Sequence, residues 1–444
     1  MRAYARTTVG VFCLAFLFAF EALAVATVMP DVAADLDGLS LYAVAFAAPM
    51  AGQVLALTVA GPWIDRRGPG PAIALGVAVF ATGCLLCGAA PTMMIFLGGR
   101  LLQGLGAGAY SVGLYVVVAQ AYPEELRPRA FTVLSAAWIL PALVGPVLAA
   151  TVADVAGWRW VFLGIPVLAL VAWLLVRAAA TGGGSGHAPF SLDTFHSAAG
   201  AALGVLLVSV AGQVDVVIRV PLLTVGVACA VLAGRSLLPA RTWSGGRGLP
   251  SIIGTRGLIG AAFAGAEAYI PLLLHLDRGL SLSHAGWALT AGAVTWFLGS
   301  WLAGRRLGIL GDPVVGVRLG VAALAVGVLG FALVAVDAVP LAIPIGSWGV
   351  AGLGIGMAFS TLGVLTLEAA PESEHGRASS ALQLNDALVQ ALVLALGSAV
   401  FAAYAASHPV HGAVVLVVAA GALAAAASWP ALRLRQPGPT ADSL

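Results

Sequence analysis

The sequence predicts an all-α polytopic membrane protein, and three observations carry that expectation. Of the 444 residues, 61% are hydrophobic and 9% charged, against roughly 25% charged in a soluble domain. The apolar residues arrive in blocks of about twenty, the length that crosses a hydrocarbon layer as a helix. Many of the 56 glycines fall inside those blocks, where small residues let membrane helices approach closely. The alternation that marks barrel strands is absent.

Read in order, the blocks place spans near 8–29, 41–63, 71–89, 93–121, 130–153, 159–177, 196–213, 216–234, 255–275, 284–303, 315–336, 340–369, 378–405 and 409–429, fourteen in all. Arg2 and Arg6 precede the first block. No small-residue cleavage site follows a short core there, so the block reads as a retained span and not a signal peptide. All 21 basic residues are arginine, and with so much Ala, Gly and Val this suggests a GC-rich bacterium. Most of the arginines fall on one side of the fourteen spans, whereas Arg159, Arg219 and Arg278 fall on the other and Arg100 lies within a span. The positive-inside rule then puts both termini in the cytoplasm of a multi-pass protein of the bacterial plasma membrane.

Between spans, Ala178 to Leu192 is rich in Gly, Ala and Ser and reads as a flexible linker. The short polar joint Gln213 to Arg219 reads as a tight hairpin between spans seven and eight. The net charge of +2 sits in short loops and gives no sign of nucleic-acid binding. Cys13, Cys84, Cys87 and Cys229 all lie in apolar blocks. Cys84 and Cys87 have no second ligand pair, so they read as inert buried thiols, and no metal site is expected.

The chain repeats itself. Gly104-Leu105-Gly106-Ala107-Gly108 recurs as Gly352-Leu353-Gly354-Ile355-Gly356, an offset of 248. At the same offset Pro123-Glu124 matches Pro371-Glu372, and Arg129-Ala130 matches Arg377-Ala378. More loosely, Glu21-Ala22 before Pro30 matches Glu267-Ala268 before Pro271. The repeat predicts two pseudo-symmetric six-helix bundles, residues 1–177 and 255–444. Between them, 178–254 form a cytoplasmic linker and an inserted helix pair.

Four segments carry a family resemblance. Gly61-Pro62-Trp63-Ile64-Asp65-Arg66-Arg67-Gly68 resembles the signature of the loop between spans two and three in the major facilitator superfamily, with Pro69 and Gly70 standing where basic residues are expected. Arg100-Leu101-Leu102-Gln103-Gly104 resembles its fourth-span signature. Gly145-Pro146 resembles the core of the antiporter signature in span five, its flanking glycines replaced by Pro141, Ala149 and Ala150. Glu21 through Pro30 resembles the first-span pattern. The chain is most similar to the fourteen-span drug:proton antiporters, over nearly its whole length.

The resemblance implies the major facilitator fold and alternating access. It implies gating or conformational roles for Gly61, Asp65, Arg66, Gly68, Arg129, Gly145 and Pro146. Asp65 is expected to face a positive helix end at the start of span three, or to pair with Arg129 or with the start of span thirteen. The alternative is an ordinary loop charge that helps topology. Pro146 removes a backbone hydrogen bond and permits a bend.

Charges inside a span are costly and mark function. Glu21, Glu267 and Asp386 lie well inside spans, with Glu368 nearer the end of span twelve. Burial penalises the charged form of a carboxyl, so Glu21 is the foremost candidate for a group that exchanges a proton against substrate. Glu267 stands as its pseudo-equivalent. Asp386, beside Gln383 and Asn385, is expected either to line a cavity or to brace a hydrogen-bond network. Arg100 does not deprotonate, and its expected task is to tune Glu21, supported by Gln103. Trp158 and Trp160 read as interfacial anchors. Trp138, Trp296 and Trp348 are deeper and read as packing or cavity-lining residues. His275 and His284 flank an outer loop without metal spacing.

The expected function is proton-coupled export of small amphipathic or drug-like molecules. The expected partners are the substrate, protons and the bilayer; the chain is expected to be monomeric, with no cofactor beyond the proton gradient. An importer, a uniporter or a lipid-linked exporter keeps the same fold and stands as the alternative. There are no assigned catalytic residues, no Gly-rich loop followed by lysine for ATP, and no large outer domain of the kind a membrane enzyme carries. Asp31, Asp35 and Asp37 are read as spread along one outer loop.

Overall fold

The computed structural model describes residues 4–38, 41–183, 192–211, 214–280, 282–305, 311–404 and 408–434, and these are helices joined by short turns. Backbone polar groups have no water to bond in hydrocarbon, and a helix satisfies them within the segment. Eleven helices among the described residues are long and apolar enough to cross a membrane. Helices α1 (Ala5–Asp35), α5 (Arg127–Ala156) and α12 (Leu282–Arg305) occupy the first, fifth and tenth predicted spans. They are not among the eleven, and each includes side chains outside the described residues. Among the described residues, length and apolarity thus support eleven of the fourteen expected spans.

The chain forms two compact units. The first holds Met1–Leu237 and Pro371–Leu384. It comprises α1, α2 (Tyr42–Arg67), α3 (Pro69–Ala89), α4 (Met93–Ala121), α5, α6 (Trp158–Leu163), α7 (Ile165–Val176), α8 (Leu192–Ala211), α9 (Val216–Leu237) and the first residues of α15 (His375–Tyr404). Here α4 packs on α2 and α3, α1 on α5 and α7, and α3 on α6 and α7. The additional pair α8–α9 lies on α2 through α8.

The second unit holds Leu238–Ala370 and Asn385–Leu444. It comprises α10 (Leu249–Glu267), α11 (Ile270–Leu276), α12, α13 (Pro313–Phe331), α14 (Ala342–Ala369), the remainder of α15, α16 (Pro409–Ala426) and α17 (Ser428–Leu432). Within it α14 packs on α12 and α13, and α16 packs on α10 and α13, the same arrangement that α4 and α7 make in the first unit.

The glycine repeat explains that likeness. A Cβ on Gly104 or Gly108 would run into the backbone of α2 at Pro49 and Gln53, and one on Gly106 into α3 at Gly76 and Phe80. At the same offset, Gly352 and Gly356 meet α12 at Gly292 and Trp296, while Gly354 meets α13 at Gly320 and Leu324. Glycines one and two positions apart point to different sides of a helix, so one short sequence packs the fourth helix of each repeat against two neighbours. Behind the glycines, the following 3-10 turns (Glu124–Leu126 and Glu372–Glu374) repeat as well, ahead of α5 and α15.

Several boundaries differ from those expected. Helix α1 runs through Pro30 to Asp35, so Asp31 and Asp35 are helical and not loop residues. Its end is held because Asp35 accepts hydrogen bonds from Arg159 (2.6 Å) and from Trp158 Nε1 (3.3 Å). The Arg159 hydrogen bond also keeps the Asp35 carboxyl below its ordinary value. Helix α10 begins at Leu249, six residues before the predicted span, after Gly248 turns the chain at φ +74° and with proline in its first turn. The sixth and ninth predicted spans are each two helices, broken at Gly164 and at Ala268–Tyr269, with Pro166 and Pro271 in the first turns that follow. Most of the expected linker, residues 184–191, and Gln213 of the expected hairpin lie outside the described residues.

Candidate functional site

The first unit holds a buried ionic cluster on α1 and α4. Arg100 pairs with Glu21, each side chain 3% exposed. The same guanidinium donates to the Gln103 Oε1 (2.7 Å) and, through Nε, to the carbonyl of Ala45 (3.0 Å). Helical spacing places Arg100 and Gln103 on one face of α4. Gln103 donates in turn to the sulfur of Cys84 (3.2 Å), and the Cys87 thiol lies 3.7 Å from its Oε1. The two cysteines therefore orient the amide that orients the arginine. Desolvating two charges is costly and is offset only where partners and hydrogen bonds are well placed; here the guanidinium meets the Glu21 carboxylate, the Gln103 amide oxygen and the Ala45 carbonyl. The sequence placed Glu21, Arg100 and Gln103 in spans; the structure adds Ala45 and the thiols, which no spacing rule pointed to.

The repeat position of Arg100 is Trp348, and that of Gln103 is Ala351. Trp348 is fully buried and stacks on Phe263, ring centres 4.4 Å apart. Phe263 meets Trp296 edge-on at 5.0 Å, and Trp296 meets Phe359 at 5.4 Å. One unit thus carries ions where the other carries aromatic packing. Trp138 lies at the surface of the first unit with its ring edge-on to Phe18 at 5.4 Å.

A second buried ion pair lies in the second unit. Arg256 Nε donates to Asp386 Oδ2 at 2.9 Å, with the guanidinium 3.8 Å above the Phe359 ring. Beside it, Asn385 accepts from Trp243 Nε1 (2.9 Å) and donates to the carbonyl of Ile253 (2.8 Å). The sequence reading counted Arg256 among the cytoplasmic-side arginines, at the start of the predicted span 255–275. It is 3% exposed inside α10, because that helix starts earlier than its hydropathy suggested. An arginine six residues past the proline that opens an apolar run was the missed signal.

Glu267 is the last residue of α10, half-buried, with no hydrogen-bond or ion-pair partner among the described residues. It is not brought into an arrangement like that of Glu21. Glu368 is half-buried near the end of α14.

Asp65 is buried at the end of α2, and its carboxylate accepts the backbone N–H groups of Gly376 (2.6 Å) and Arg377 (3.0 Å). These are two of the unpaired donors of the first turn of α15, the positive end of that helix. Of the partners the sequence left open, the start of the thirteenth predicted span is the one observed. Arg129 and Arg66 are exposed. Gly61 makes the approach possible, since a Cβ there would lie 2.7 Å from that of Ser380 and 2.9 Å from the Gly376 carbonyl. Ser380 donates to the carbonyl of Leu57. Leu57, Gly61 and Asp65 follow at four-residue intervals and form one stripe of α2. Gly68, at φ +79°, is at once the C-terminal cap of α2 and the N-terminal cap of α3, a conformation that favours glycine. Gly145 is buried in α5, and the Pro146 side chain lies outside the described residues, as does that of His284.

The Asp65→Asn variant replaces one acceptor oxygen with an amide donor and removes the charge at the helix end. It should lower the stability of the purified protein by about 1–2 kcal/mol, read as a fall in Tm. An unchanged Tm would mean that the contact contributes nothing.

The comparisons agree with this architecture. Residues 11–394 match the family model of the Major Facilitator Superfamily. A probable multidrug-efflux transporter of Mycobacterium tuberculosis (strain ATCC 25618 / H37Rv) is 32% identical over 170 residues, 38% of this chain and 36% of that protein. The multidrug efflux pump SdrM of Staphylococcus aureus (strain N315) is 25% identical over 171 residues, 38% of each chain. The match thus spans little more than a third of these relatives' length. Among solved structures, the human organic anion transporter MFSD10 covers 96% of this chain and 99% of its own, with a TM-score of 0.71 at 15% identity. The proton:xylose symporter XylE covers 95% and 94%, with a TM-score of 0.63 at 14% identity. With a family model matched over most of its length and a helical fold shared with these carriers, the chain is a multi-pass membrane protein and belongs to the Major Facilitator Superfamily.

Proposed function

We propose that the protein is a proton-coupled exporter of small amphipathic or drug-like molecules that works by alternating access. The observation that carries the proposal is the buried Glu21–Arg100–Gln103 cluster. A carboxylate held by a permanent cation inside a span can be neutralised by one proton, which weakens its hold on Arg100 and frees the arginine to re-pair. The efflux names of the relatives support the substrate class.

In this proposal Glu21 takes the proton, Arg100 and Gln103 set the energy of that step, and Glu267 and Asp386 are further proton or substrate groups. Gly61, Asp65, Arg66, Gly68 and Arg129 belong to the gate, and Gly145 and Pro146 to the bending of α5. Fourteen spans with both termini cytoplasmic, in two six-helix bundles plus the α8–α9 pair, and a monomeric state complete it.

The test is proton movement in inside-out vesicles of the bacterial membrane, challenged with lipophilic cations and antibiotics. Wild type should release protons on substrate addition, and Glu21→Gln should abolish the response. Identical responses from the two would remove Glu21 from the coupling path. Proton flow in the opposite sense would replace export by import.

A further inference from the structure

The turn between α9 and α10 carries a basic, aromatic surface that the transport proposal does not use. Arg241 and Arg247 are exposed on it, and no acidic residue occurs between Leu238 and Gly265 or between Ser428 and Leu434. The backbone takes a left-handed conformation at Arg241 (φ +66°), Gly245 (+70°) and Gly248 (+74°). The strained Arg241 position is held because its carbonyl accepts from Gly246 (2.8 Å) and Ser244 (3.2 Å). That closure brings Arg241 and Arg433 to the two sides of the Gly245-Gly246 step. A Cβ on Gly246 would lie 3.0 Å from that of Arg241, and one on Gly245 2.9 Å from the Trp429 indole nitrogen and 3.7 Å from Arg433 Cδ. Arg433 donates to the Gly245 carbonyl (2.7 Å) and lies 4.1 Å over the Trp429 ring. Trp429 is 59% exposed and Trp243 42%.

We propose that this turn, through Arg241, Arg247 and Arg433 and with the exposed indoles of Trp243 and Trp429, binds the phosphate headgroup of an anionic phospholipid. Arginine forks match phosphate oxygens, and exposed indoles settle at the level of lipid headgroups. Arginines on chain segments without acidic residues attract an anionic lipid surface at that level. The site reaches the protein interior through Trp243, which donates to Asn385 next to the Arg256–Asp386 pair. A bound headgroup therefore fixes the indole that braces that pair.

The experiment is native mass spectrometry of the full-length protein with phosphatidylglycerol, phosphatidylcholine and inorganic phosphate, which reads binding without transport. Wild type should retain phosphatidylglycerol and not phosphatidylcholine. The double variant Arg241→Gln/Arg247→Gln should bind the anionic lipid about thirty-fold more weakly. If the double variant does not fold, Arg247→Gln alone should lose part of the affinity. Equal retention of the two lipids, or unchanged retention in the variants, overturns the site. Displacement of the lipid by millimolar inorganic phosphate, which itself stays bound, overturns the lipid assignment in favour of a soluble anion.

Discussion

Replacing Arg100 with alanine should destabilise the protein by about 3–5 kcal/mol, the largest loss expected from any single side chain. The guanidinium sits between Glu21, Gln103 and the Ala45 carbonyl, and Arg100 and Glu21 are each 3% exposed. Its removal leaves a carboxylate without its countercharge where water does not reach, together with a carbonyl that has lost a donor. The double variant Arg100→Ala/Glu21→Ala removes both charges and should recover a large part of that loss. The measurement is thermal unfolding of the purified proteins under one set of conditions. Equal Tm values for the single and double variants would show that packing, and not the ion pair, sets the cost.

Gly106→Leu should lose about 3 kcal/mol or more. A Cβ at Gly106 would stand 2.5 Å from the Gly76 carbonyl and 2.7 Å from Phe80 Cα, both backbone atoms of α3. Helices in contact through backbone cannot yield by turning a side chain; α3 and α4 must separate. Gly98 is the control, because a Cβ there meets nothing within 4 Å. Gly98→Ala should stay within about 0.5 kcal/mol of wild type. Unfolding midpoints for both variants check the pair, and equal effects would refute the close-packing account.

The glycine repeat was fully legible, because a glycine triplet at a fixed offset repeats a packing rule as well as a sequence. The intramembrane acids were legible from the cost of placing charge among apolar residues, and Arg100 from the fourth-span signature. Arg256 was not. Hydropathy averages over a window, and an arginine near the mouth of a span reads as a cytoplasmic-side charge until its partner is known. The partners of Asp65 were left open for a similar reason: Gly376 and Arg377 lie more than three hundred positions along the chain, and no local pattern links them.

The sequence by itself determined a helical membrane protein, its repeat, the helices that pack closely and the residues too costly to bury without purpose. Those follow from apolar block length and from the size and charge of single side chains, which are local properties. Only the tertiary structure decided that Asp386 is neutralised by Arg256, and it put Arg100 in direct contact with Glu21, the acid it was expected to tune. It also decided that the repeat of Arg100 is a tryptophan in an aromatic core and that Asp65 caps a distant helix. A charge in a low-dielectric interior is stable only beside its partner, and partnership is a fact of distance in space, which the order of residues along the chain does not contain.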